Sequence, residues 1–150
     1  MEQNNLGKVY LYGIGTKQDN QHAKYWFQQA AQQGNTESQS NLGQIYHEEK
    51  NYTQAKYWYQ KAAEEGDSNA QLGLGKILYL QENYPQAKYW LEKAAEQDSS
   101  DAQLGLGFIY LLGQGVKQDF FKAEQYFRTA CNNGFSVSCD EYLKLNRNSQ

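Results

Sequence analysis

The chain repeats itself four times, and that periodicity constrains its fold more than any other feature. One segment reads Leu-Gly-x-x-Tyr: Leu6-Gly7…Tyr10, Leu42-Gly43…Tyr46, Leu74-Gly75…Leu78 and Leu106-Gly107…Tyr110. A second reads Ala-Lys-Tyr-Trp…Ala-Ala over Ala23–Ala31, Ala55–Ala63 and Ala87–Ala95, with a divergent copy at Ala123–Cys131. The leucines are spaced by 36, 32 and 32 residues, the leading alanines by 32, 32 and 36. A linker four residues longer in repeats one and four reconciles the two series; it carries Gly13-Ile-Gly15 and Gly113-Gln-Gly115.

Each unit predicts helix A, a turn and helix B. Val occurs three times and Ile four, whereas Ala, Gln, Glu, Lys and Leu abound, so the residue choice favours helix over strand. Asp19, Asn51, Asn83 and Asp119 recur at one register as N-caps, their side chains expected to accept from first-turn N–H groups. Pro85 follows its cap by two residues, where a missing N–H is tolerated. Gly34, Gly66 and Gly134 suit left-handed C-terminal turns, and Asp98 replaces that glycine in repeat three. Ala23, Phe27, Ala30 and Ala31 form one helical stripe, flanked by the register of Trp26, Trp58 and Trp90. The glycine after each leucine invites close approach by helix B. The expectation is an all-α chain built as an α/α superhelix. It forms one domain over 1–146, with repeats at about 1–35, 36–67, 68–99 and 100–135, a capping helix at 136–146 and a tail at 147–150.

The pattern Ala-x-x-x-Leu-Gly-x-x-Tyr-x-x-Gly-x-Gly-Val-x-x-Asp-x-x-Lys-Ala-x-x-Tyr-Phe-x-x-Ala, intact in Ala102–Ala130, resembles the Sel1-like repeat, a relative of the tetratricopeptide repeat. Repeats two and three depart from it, lacking the Gly-x-Gly linker. The resemblance covers essentially the whole chain. It implies a solenoid scaffold or adaptor that binds a protein or peptide, with no cofactor and no catalysis.

Cys131 and Cys139 replace Ala31/Gln39, Ala63/Gln71 and Ala95/Gln103 of the other repeats. The pair looks like the intra-repeat disulfides of the Helicobacter cysteine-rich Sel1-like proteins. Bridged, it would imply a bacterial periplasm or the exterior; unlinked thiols would fit the cytoplasm. The start Met1-Glu-Gln-Asn-Asn has neither a basic region nor an apolar run, so no signal peptide is visible, and helix A of repeat one begins abruptly, as if cut at a domain edge. Some bacterial Sel1-like proteins encoded beside secreted toxins act as immunity proteins, which gives an alternative expectation for this chain.

Composition narrows the partners. A net charge of -3 and a pI of about 5.4 suit nucleic acid poorly. No apolar run approaches a membrane span, while 22 aromatics (Tyr 13, Phe 6, Trp 3) argue against disorder. An enzymatic reading lacks its residues. His22 and His47 read as solvated, without companions at metal-ligand spacing, and two cysteines alone cannot close a metal site. Leu72-Gly-Leu-Gly-Lys76 mimics a phosphate loop, but Ile77 stands where Ser or Thr is required.

Helix A of such a solenoid lines a concave groove. The tetratricopeptide register selects Asn4, Lys8, Leu11 and Tyr12 from repeat one; Glu37, Ser40, Gln44, His47 and Glu48 from repeat two; Leu72, Lys76, Tyr79 and Leu80 from repeat three; and Asp101, Leu104, Phe108, Leu111 and Leu112 from repeat four. Phe108 and Tyr79 are the expected aromatic anchors. The competing reading packs several of these leucines within the solenoid. A monomer gripping one polypeptide is expected.

Overall fold

A computed structural model describes residues 1–148. Among them lie α1 (Glu2–Tyr12), α2 (Asn20–Gln32), α3 (Thr36–Glu48), α4 (Tyr52–Glu64), α5 (Ser68–Leu80), α6 (Tyr84–Ala95), α7 (Ser100–Leu112), α8 (Phe120–Asn132) and α9 (Ser136–Asn148), with no strand. The last helix runs two residues beyond the expected 146, and positions 149–150 of the expected tail lie outside the described residues. The helices form an all-α solenoid of A/B hairpins, grouped into two compact units, Met1–Leu74 and the residues from Gly75 onward.

The caps follow the sequence with one exception. Asp19 accepts from the N–H groups of Gln21 and His22, Asn51 from that of Gln54, and Asp119 from that of Lys122. Asn83 caps α6 by position but makes no side-chain cap bond. Pro85 occupies the second helical position and removes one of the two N–H groups a cap addresses. The turn where Asp98 replaces glycine adopts the glycine conformation, with φ of 62° against 85°, 90° and 86° at Gly34, Gly66 and Gly134. Asp is among the residues that tolerate this region.

In the first unit, α1 packs on α2, α2 on α3 and α3 on α4, and α1 also touches α3. A core of Ala23, Phe27, Ala31, Leu42, Ile45 and Trp58 fills the space, with Tyr10, Leu11 and Tyr46 at its margin. In the second unit, α6 packs on α7, α7 on α8 and α8 on α9, and one core cluster there is Tyr110, Ala123 and Phe127. Of the tryptophans, Trp58 and Trp90 are buried and Trp26 half-buried.

The helix A glycines work by close approach. A Cβ at Gly7 would fall 2.5 Å from the Phe27 ring, and one at Gly75 would fall 2.8 Å from Leu91. Gly43 meets Tyr59 and Gly107 meets Phe127 in the same way. Each hairpin thus docks a large helix B side chain into the notch left by a missing methyl, which offsets the roughly 1 kcal/mol of helix propensity a mid-helix glycine costs. Tyr59 lies between Gly43 and Gly73. Its burial, aided by the Glu48 and Asp67 carboxylates, pushes its phenol up to about 12.

Candidate protein-binding face

The groove residues expected from the sequence recur at fixed registers relative to the repeat leucine, and each unit equips them differently. In the first unit, Asn4 is buried: its Nδ2 donates to Glu37 Oε2 at 2.7 Å, and its Oδ1 accepts from Ser38 Oγ at 2.8 Å. Lys8 forms an ion pair with the same Glu37. The Lys8 ammonium, seconded by the Asn4 amide and against some desolvation, holds the Glu37 carboxyl below its ordinary 4.5. Ser40 Oγ donates to Asp67 Oδ1 at 2.8 Å, and Gln44 Nε2 donates to Glu48 Oε1 at 3.0 Å. His47 lies edge-on to Tyr52, with ring centroids 5.5 Å apart, so it is not simply solvated. Leu72 is half-buried, and Tyr12 is 66% exposed.

In the second unit the same registers are mostly apolar. Lys76 Nζ meets Asp101 Oδ1 at 3.3 Å. The Tyr79 hydroxyl donates to Gln114 Oε1 at 2.6 Å, and its ring stands edge-on to Tyr84 at 5.5 Å. Leu104, Phe108 and Leu111 are half-buried and pack against the Tyr110, Ala123 and Phe127 cluster. Phe108 sits edge-on to Phe127 with centroids 5.2 Å apart. Leu80 and Leu112, by contrast, are 67% and 59% exposed at one and the same register.

The structure therefore draws Lys8, Asn4 and Glu37 into one cluster, couples Tyr79 to Gln114, and turns Leu104, Phe108 and Leu111 partly inward. Gln114 was missed in the sequence, where its linker supplies only turn glycines. The available signal was a long polar side chain set between Gly113 and Gly115, whose backbones take φ of 68° and 66°.

Cys131 and Cys139 form a disulfide across the α8–α9 turn, with their Cα atoms 4.6 Å apart. At the same register in the first unit, Gln39 Nε2 donates to the Ala31 carbonyl and Gln71 Nε2 to the Ala63 carbonyl, each at 3.2 Å. The covalent bridge thus replaces a recurrent side-chain-to-backbone hydrogen bond.

Among the described residues there is no cluster of three or more His, Cys, Asp or Glu side chains arranged for a metal ion, and no helix is long and apolar enough to cross a membrane. What the helix A faces offer is exposed leucine, a tethered tyrosine and charged residues at the rim, a set suited to burying apolar side chains of another polypeptide.

The Sel1 repeat family model matches residues 3–35, 36–67, 68–99 and 100–135. The chain is similar to a crystal structure of c5321, a protective antigen present in uropathogenic Escherichia coli strains that displays an SLR fold. Identity there is 35% with a TM-score of 0.89, over 97% of this chain and 33% of that one. It is also similar to the crystal structure of a Sel1 repeat protein from Oxalobacter formigenes, at 31% identity and a TM-score of 0.86, over 95% of this chain and 61% of that one. This chain thus spans about a third of the first protein's length and under two thirds of the second's.

Proposed function

This chain belongs to the Sel1 repeat family, whose fold generally serves as a protein–protein interaction scaffold, and from that premise we propose that its helix A faces grip a peptide or protein partner. The observation that carries the reading is the pair Leu80 and Leu112, both more than half exposed at one register of α5 and α7. Covering both would yield about 3 kcal/mol or more of apolar burial. Tyr79, tethered through Gln114, gives the same face a ring of fixed orientation, and Lys76 gives it a charged rim. Phe108, Leu111 and Leu104 are half-buried against the Tyr110, Ala123 and Phe127 cluster and present their remaining surface on the same helix. Lys8, Tyr12, Gln44, His47 and Leu72 are the matching residues of the first unit, and the polar Lys8, Gln44 and His47 among them suit recognition more than affinity.

The test is affinity capture from the native source, with Leu80→Asp and Leu112→Asp combined. Both side chains are exposed, so the melting curve should not move. A specific partner should be lost from this variant and retained by Tyr57→Asp, placed elsewhere. Retention of every partner by the double variant would end the proposal.

The disulfide favours a second, narrower reading: a periplasmic or secreted protein that inhibits a secreted toxin. Thiol titration of protein from its native source checks the compartment; two free thiols there would remove this reading and leave the first intact.

A further inference from the structure

At the first repeat, Tyr10, Gln21, His22, Tyr25 and Trp26 line an open hollow of about 480 Å³. Tyr25 and Trp26 stand edge-on with centroids 5.2 Å apart. His22 stacks on Tyr10 at 5.0 Å, and its Nδ1 lies 2.8 Å from Asp19 Oδ2, so this histidine is a wall of the hollow rather than a bare solvated group.

The second repeat shows what such a set of rings does. Its equivalent rings are Tyr46, Tyr57 and Trp58, and lysine ammoniums cap all three. Lys24 Nζ, arriving from the adjacent repeat, lies 5.2 Å from the Tyr46 centroid. Lys61 Nζ lies 5.0 Å from the Tyr57 centroid and 5.8 Å from that of Trp58. In repeat four, Lys122 Nζ lies 5.0 Å from Tyr110, the ring equivalent to Tyr10. An ammonium is drawn to the negative face of an aromatic ring, and more strongly as more rings converge on it. In repeat one the rings remain, but Gln29 stands where repeat two has Lys61, and His22, stacked on one face of Tyr10, stands where repeat four has Lys122. Among the described residues, no lysine caps Tyr10, Tyr25 or Trp26.

We propose that this hollow seats the ammonium of a lysine side chain presented by a partner protein. The occupant is a lysine because lysines cap these rings in repeat two and the Tyr110 ring in repeat four, although Lys93 of repeat three pairs with Glu96 instead; Lys24 shows one being delivered across a helix–helix boundary. The hollow shares no residue with the Leu80 and Leu112 pair.

The test titrates ¹⁵N-labelled protein with Nα-acetyl-lysine methylamide and follows the Trp26 indole N–H. A saturable shift is expected at Trp26, while Trp58, already capped, stays still. The neutral norleucine analogue should bind about fivefold more weakly or worse. Gln29→Lys reproduces the repeat-two arrangement on a helix position that tolerates lysine, and it should suppress the titration. Tyr25→Ala, altering a side chain 55% exposed, should weaken it without disturbing the fold. Equal binding by norleucine, tighter binding by choline than by the lysine derivative, or an unchanged titration in both variants would each overturn the assignment.

Discussion

Ser38 and Ser138 occupy one register in two parts of the molecule, and they meet opposite surroundings. Both are fully buried. Ser38 in the first unit donates to Asn4, which in turn donates to Glu37, itself paired with Lys8. Among the described residues, the Ser138 hydroxyl of the second unit has no hydrogen-bond partner. Leu104 stands at the register of Asn4 and packs beside the Phe127 core instead. The first unit thus closes its seam between repeats with a connected polar network. The second closes it with apolar packing and a covalent bridge, and carries a stranded hydroxyl. Replacing one half of a polar pair by leucine solves the packing but leaves the other half uncompensated.

The disulfide tests that comparison most severely. Converting Cys131→Ala with Cys139→Gln copies the first unit's arrangement. Loss of the bridge should cost about 2–3 kcal/mol, and a restored Gln-to-carbonyl bond should return about 1 kcal/mol. Urea denaturation with and without reductant measures the difference; an unchanged midpoint would mean that the cap is held by packing alone. The serines come next. Ser38→Ala should destabilise by about 1–2 kcal/mol because it strands the Asn4 carbonyl. Ser138→Ala should stabilise by about 1 kcal/mol because it removes an unpaired group. Combining Asn4→Leu with Ser38→Ala imports the second unit's solution and should cost less than Asn4→Leu alone. Two serine variants of the same sign would dissolve the contrast.

The paired glycines Gly73 and Gly105 give a smaller effect. A Cβ at Gly73 would fall 2.5 Å from Tyr59 Cζ, whereas one at Gly105 would sit at an ordinary 3.5 Å from Leu91. Gly73→Ala should lower stability by about 1 kcal/mol through crowding. Gly105→Ala should raise it by nearly as much through helix propensity. Thermal melts of the two variants should shift in opposite directions.

The smallest effect is electrostatic. Lys8 holds the Glu37 pKa below 4.5, so its stabilisation is complete above that value and fades as pH falls through the folded-state value. Because Glu37 is 53% exposed, the contribution is about 0.5 kcal/mol or less. Glu37→Gln should flatten the acid limb of the stability curve slightly, and salt should do the same.

Much of this architecture was readable before any coordinate. The caps, the turn glycines and the Gly-to-ring contacts recur at fixed register, so one copy explains the next. Phe108 was readable only as apolar and aromatic. Whether it anchors a partner or lies against Phe127 depends on the neighbouring helix. The Tyr79–Gln114 bond joins residues 35 apart through a linker whose conformation no repeat rule specifies. Asn83 stands at the cap position its register predicts, but only the folded helix start shows that its side chain makes no cap bond.

The amino-acid order alone determined the helical class, the registers of caps and turns, and the inward stripes. Helical periodicity and chain-neighbour packing are local, and four copies reinforce one answer. The folded molecule decided which half-apolar residues stay in water. It also decided which serine finds an acceptor and which ring finds a lysine. Those outcomes depend on side chains that meet across helices, where a single exchange, Asn4 for Leu104 or Gln29 for Lys61, changes the partner without changing the pattern.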